Sequence, residues 1–258
     1  ADGYALAHPQ LGEESACQYL SLAPLNPSSM RSCIEQARTN ARAVRTALTA
    51  EAWEAINSAW LDLQRYGTEL DSRLMLNRLL EAVKAAALAF DGAIHRTMLR
   101  EDGYWFLRLG AAIERADNTA RLLDVKYHLL LPRDEPVGGS LDYFQWTTIL
   151  RTVSALTAYR HVYRDAVKPW LVADLLILNK QMPRSLAACT GSAVRYLDEL
   201  ARESGRRGPA HRQASALAAG LTGTDIAAIF QAGLHEQIER YLADNNRLGE
   251  LIAEQFLF

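Results

Sequence analysis

Apolar residues recur three and four positions apart through most of this chain, while stretches that alternate with period two and are rich in Val, Ile and Thr are scarce. The pattern predicts an all-α protein, an irregular multi-helix bundle. Pro, Gly, Asn and Ser punctuate the periodic runs near residues 22–29, 65–72, 99–104, 131–140, 167–170, 179–185, 204–209 and 220–225. Those breaks divide the chain into about eight or nine helices. The longest of them, "LPRDEPVGGS" at 131–140, holds two prolines and two glycines and cannot continue a helix. Asn26 ahead of Pro27 reads as an N-cap before a proline in the first turn, so "NPSSMRSCIEQARTNARAVRTAL" is expected to be helical. Pro183, with Met182 in the cap position, opens a similar helix in "MPRSLAACTGSAVRYLDEL".

Those two segments align with each other. An offset of 156 sets Leu22 on Leu178, Pro27 on Pro183, Ser29 on Ser185, Cys33 on Cys189 and Ala37 on Ala193. The register predicts an internal repeat, and with it one helical domain over residues 1–258 made of two related halves, about 1–100 and 101–258. If the whole unit is duplicated, the counterpart of Glu114 falls ahead of the first residue given, and the first half is expected to lack its opening helix. The start, "ADGYALAHPQLGEE", has neither an initiator Met nor the basic and apolar regions of a secretory signal, in keeping with that expectation.

Composition removes several function classes. With 258 residues and 49% hydrophobic content, the chain can bury a sizeable core. Its 28 Lys and Arg against 30 Asp and Glu give no net field toward nucleic acid or an anionic membrane, so neither is an expected partner. No run approaches the roughly 18 apolar residues of a membrane-crossing helix. The three cysteines form no C-x-x-C pair and are odd in number. Cys33 and Cys189 are therefore expected to be small buried thiols, and the chain to be cytoplasmic.

No P-loop, Gly-rich dinucleotide turn or G-x-S-x-G elbow is present, so no cofactor is expected and any ATP site belongs to a partner. None of the six histidines has a Glu three residues before it, as di-iron carboxylate helices require. Asp124 with His128, and His235 with Glu239, stand four apart, a spacing that a chain with many helices produces by accident; no metal is expected.

The segment "AAIERADNTARLLDVKYHLL" carries the candidate chemistry. On a helical wheel Leu109, Ala112, Ala116, Ala120, Leu123, Tyr127 and Leu130 gather on one side. Glu114, Asn118 and Arg121 fall on the opposite side, flanked by Asp117 and Asp124 on one edge and Arg115 on the other. These residues either form a solvated face with intrahelical pairs or line an interhelical cleft in which a carboxylate orients an Arg fork toward an anionic ligand. Further on, "LDYFQWTTILRTVSALTAYRHVYRDAV" clusters Tyr143, Phe144, Trp146, Tyr159 and Tyr163 with Arg151, Arg160 and Arg164. It reads either as a core helix with polar tips or as the lining of a peptide groove in which Arg151 meets an acidic group.

"FLRLGAAIERADNTARLLDVKYHLLLP" resembles the signature of the bacterial alpha-E family, named for its all-helical fold and its Glu-Arg motif. "LAPLNPSSMRSCIEQARTNARAVR", "LDYFQWTTILRTVSALTAYR", "LLILNKQMPRSL" and "DIAAIFQAGLHEQIERYLADNNRLGELIAEQF" look like further blocks of that family in the same order, and together they cover essentially the whole chain. Family members usually begin with an earlier helix of the kind "YWxxRYxERAENTAR", which this sequence does not contain. The resemblance implies a partner of a circularly permuted ATP-grasp protein, often accompanied by a transglutaminase-like protein. It thus implies an accessory or substrate-presenting role in amide or peptide bond formation. On that reading Glu114, Asn118 and Arg121, with Arg115, Asp124 and Arg151, bind a carboxylate-bearing peptide or the partner, and Glu114 holds Arg121 in place. Two alternatives stand beside it: a self-contained enzyme that forms or cleaves an amide with Glu114 as general acid or base, and a structural scaffold in which the Glu-Arg motif is a buried ion pair.

Overall fold

The computed structural model describes residues 12–128 and 139–256; the loop expected at 131–140, the chain start and Leu130 lie largely or wholly outside them. Twelve α-helices and one short 3-10 turn make up the described residues, with no strand among them. The chain divides into two compact units, residues 1–104 and 105–258. The first contains α1 (Glu13–Ser21), α2 (Met30–Ala43), the 3-10 turn Arg45–Ala47, α3 (Ala50–Gln64) and α4 (Arg73–Thr97). The second holds most of α5 (Asp102–His128), then α6 (Ser140–Thr152), α7 (Leu156–Tyr163), α8 (Pro169–Ile177), α9 (Leu186–Ser204), α10 (Pro209–Thr222), α11 (Ile226–Ala232) and α12 (Leu234–Phe256).

More helices form than the punctuation suggests, because some breaks carry no Pro or Gly. The helix expected to run through "ARAVRTAL" stops at Ala43, and Thr49 restarts it as an N-cap that accepts from Ala52 N at 3.3 Å. The aromatic segment at 141–167 is two helices, split where Ser154 takes a left-handed φ of 55°. The N-caps also move. Asn26 is a turn residue whose side-chain carbonyl accepts from Ser28 N at 3.0 Å, and the cap of α2 is Ser29, which accepts from Ser32 N at 3.1 Å. Likewise Ser185, not Met182, caps α9 by accepting from Ala188 N at 3.0 Å. In both places a hydrogen-bonded turn spans the proline before the backbone becomes helical, so the cap falls three residues later than composition suggests.

The two turns share their hydrogen bonds at the same offset. Leu22 N bonds Gln18 O at 3.0 Å and Leu178 N bonds Asp174 O at 2.9 Å; Ser29 N bonds Asn26 O at 3.0 Å and Ser185 N bonds Met182 O at 2.9 Å. The bounds of α1 and α8 differ by the same 156 positions.

Each unit has its own core. Leu22, Leu63 and Leu79 centre the first, with Ile34, Trp60 and Met75 against them. The second is larger: Leu109, Ala112, Ala116, Ala120 and Leu123 of α5 join Leu175, Leu176, Leu186, Leu197 and Ile238. Small alanines and larger leucines thus share the inward side of α5, which is buried in that core.

Candidate functional site

The α5 helix keeps its amphipathic pattern in three dimensions. Leu109, Ala112, Ala116, Ala120 and Leu123 are buried, while Gly110, Ala111, Glu114, Asn118, Arg121 and Val125 face outward. On that outer stripe Asn118 Nδ2 donates to Glu114 Oε1 at 3.2 Å. Arg121 donates through Nε to Asp117 Oδ2 at 2.7 Å and through Nη2 to Asp117 Oδ1 at 3.1 Å, a two-point fork. The Asp117 hydrogen bond holds the Arg121 guanidinium above its usual value, with Glu114 and Asp124 adding to the field. Asp117, and not Glu114, therefore positions Arg121. Four residues are about 6 Å along a helix and seven are about 10.5 Å, so the nearer carboxylate takes the fork.

The remaining sequence candidates go elsewhere. Arg115 is half-buried on the flank of α5, where its charge lowers the Cys189 thiol pKa; burial outweighs this and pushes that thiol up to about 11. Asp124 reaches across to α12, its Oδ1 lying 2.6 Å from His235 Nδ1, and Glu239 Oε1 is 3.6 Å from His235 Nε2. One member of each accidental spacing pair thus meets, but no group of metal-ligating side chains forms among the described residues. The His128 side chain lies outside the description. Arg151 is exposed in the last turn of α6. Of the aromatics around it, Trp146 and Tyr159 are core residues, whereas Tyr143 and Phe144 are exposed. The Tyr159 hydroxyl donates to Ala166 O at 2.7 Å and accepts from Lys168 N at 3.0 Å, so it ties down the loop after α7. Cys33, expected to be buried, is exposed, while Cys189 is buried. The shared turn places both sulfurs alike, but only the second unit has enough surrounding core to cover one.

Sequence reasoning missed three polar arrangements in the second unit. Lys126 Nζ lies 2.8 Å from Asp142 Oδ1, with both side chains under a tenth exposed, and it donates to Gln145 Oε1 at 2.6 Å above the Trp146 ring. The signal was a lysine on the apolar side of the wheel. Tyr196 stacks on Trp105 at 5.9 Å between ring centroids. Burial pushes its phenol up, yet hydrogen bonds from Arg108 and Arg195 hold it below the usual value. Tyr163 donates to the Asp174 carboxylate, which together with burial raises its phenol far above the usual value.

Two cavities stand out, and no member of the α5 stripe lines either. One of about 780 Å³ in the first unit runs along α1 and the α3–α4 connection, with Glu13, Glu14, Glu69 and Asp71 in its wall. The other, about 420 Å³ in the second unit, opens between α10, α11 and α12. No helix among the described residues is long and apolar enough to cross a membrane.

The alpha-helical fold with the Glu114–Arg115 pair on α5 accords with the comparison to known families. The family Alpha-E, described as a predicted alpha-helical domain with a conserved ER motif, matches residues 2–257. This chain belongs to the Alpha-E family. No curated protein and no solved structure is significantly similar to it.

Proposed function

We propose that this chain is an accessory or substrate-presenting component of an ATP-grasp amide- or peptide-ligase system and works in the cytoplasm, where ATP is supplied. One observation carries the reading. Glu114, Asn118 and Arg121 project together into solvent from a helix whose other side is fixed in the core. A polar array on a rigid element, with its Arg fork already oriented by Asp117, is preorganised to meet a partner or a peptide carboxylate. The ligase is the circularly permuted ATP-grasp protein that the family resemblance implies, and a transglutaminase-like protein is a further partner. The ATP-grasp protein would activate a carboxylate as an acyl phosphate, and the α5 stripe would hold the acceptor chain or dock the enzyme. An exposed Glu114 has no enclosing wall to exclude water from a reaction, and its bond goes to Asn118 rather than to a buried cation. The self-contained enzyme and the buried-pair scaffold both lose support on that account. We attribute the two matching cap turns to one duplicated ancestral unit.

The test reconstitutes amide formation with the cognate ATP-grasp protein, followed as phosphate release and product mass. Wild-type chain, Glu114→Gln, Arg121→Gln and no chain are compared, with the chain alone as control. Product should require the wild-type chain and fall in both variants, whose thermal stability should stay within about 0.5 kcal/mol of wild type because the sites are exposed. A ligase rate indifferent to the chain overturns the accessory reading; product from the chain alone replaces it with the enzyme reading.

A further inference from the structure

The cavity of about 420 Å³ in the second unit has an apolar floor and a charged rim. Leu186, Leu217, Ile229 and Ile238 form the floor, none more than 8% exposed. Tyr241 adds a ring face but no free donor, since its hydroxyl shares a 2.7 Å hydrogen bond with Thr190. Arg240 and Asp244 stand on the rim one turn apart on α12. Local spacing would pair them, yet no ion pair joins them among the described residues. Arg240 reaches Gln237 Oε1 only at 3.5 Å, and Asp244 Oδ1 accepts a long 3.3 Å bond from Gln213 Nε2. A cation N-terminal to its acid is the weaker order for a helical pair, so little holds the two together. A cation and an anion therefore sit side by side, weakly engaged, over a cavity with a leucine and isoleucine floor and Gln213, Gln237 and Thr224 in its wall.

The ligand that complements this arrangement carries a carboxylate and an ammonium close together with an apolar group beside them. We propose that the cavity binds an apolar α-amino acid, its carboxylate on Arg240, its ammonium on Asp244 and its side chain on the leucine and isoleucine floor. A fatty acid would set its carboxylate against Asp244, an apolar amine would face Arg240, and glycine would leave the floor unfilled. The volume is at the small end of ligand pockets, as an amino acid requires. The site is separate from the α5 stripe and stands whether or not the ligase reading does.

Isothermal titration calorimetry of the full chain tests it with L-leucine and L-phenylalanine as probes. The comparison ligands are 4-methylpentanoate, which lacks the amine of leucine; leucinamide, which lacks its carboxylate; and glycine. At least one of the two amino acids should bind, and the three comparison ligands should bind at least about tenfold more weakly, the loss of one charge-assisted hydrogen bond or of the apolar contact. Arg240→Gln should weaken the amino acid about tenfold but strengthen leucinamide, which no longer faces a cation; Asp244→Asn should weaken the amino acid similarly but strengthen 4-methylpentanoate, which no longer faces a carboxylate. Circular dichroism checks that both variants fold. Absence of heat with both amino acids up to about 10 mM, equal binding of 4-methylpentanoate and leucine, or wild-type affinity in either folded variant would overturn the proposal.

Discussion

Replacing Lys126 with methionine tests how the second unit tolerates its buried charges. Lys126 Nζ sits 2.8 Å from Asp142 Oδ1 and 2.6 Å from Gln145 Oε1, with the side chains of Lys126 and Asp142 8% and 3% exposed. Methionine keeps most of the stem against Trp146 but removes the cation opposite Asp142. Stripping one partner from a buried pair costs about 3–5 kcal/mol, because the remaining charge stays desolvated. Asp142 lies in the first turn of α6, where the helix dipole favours a carboxylate by about 0.3–1 kcal/mol. The expected net loss is therefore about 2–4 kcal/mol, or a fall in Tm of about 4–16 °C for a unit of this size. The double variant Lys126→Met/Asp142→Leu removes both charges and should recover most of that loss, since an apolar replacement of similar volume matches a buried pair. Urea denaturation followed by far-UV circular dichroism gives both values. A single variant within about 0.5 kcal/mol of wild type, or a double variant as unstable as the single, would refute the reasoning.

Three further outcomes follow from other contacts. Ser185→Ala deletes a buried hydroxyl that donates to Asn179 O at 2.6 Å and caps Ala188 N at 3.0 Å; about 2 kcal/mol should be lost in urea denaturation. The hydrogen bond that His235 Nδ1 donates to the Asp124 carboxylate, with the nearby charges of Glu239 and Glu236, holds His235 above its usual value, so the protonated ring favours the folded state. That contribution is whole below about pH 6.5 and disappears as pH rises through the folded value. Tm measured from pH 5.5 to 8.5 should accordingly carry a decline on the alkaline side that Asp124→Asn removes. Cys33 is exposed and Cys189 is buried with its thiol pushed up to about 11, so a disulfide reagent at pH 8 should label Cys33 in the native chain and Cys189 only after unfolding, as read by peptide mass.

The sequence by itself determined what depends on neighbours along the chain. The three- and four-residue spacing made the elements helical, and the same spacing set Leu109, Ala112, Ala116, Ala120 and Leu123 inward and Glu114, Asn118 and Arg121 outward. The partner of Arg121 was misassigned from the sequence, which gave it to Glu114 two turns away, whereas Asp117 one turn away is nearer and takes the fork. Other local choices left weaker marks: Ser154 with a positive φ is not flagged by composition, and the residue that caps a helix after Pro27 or Pro183 depends on a turn the backbone completes first. Tertiary structure alone decided the contacts between distant residues. It joined Lys126 to Asp142 and Asp124 to His235, covered Cys189 but not Cys33, and left Arg240 and Asp244 unjoined above an apolar cavity. Helical periodicity fixes which way a side chain points. What it then meets depends on how the helices are placed and on how much water their packing removes, and neither is a property of any one segment.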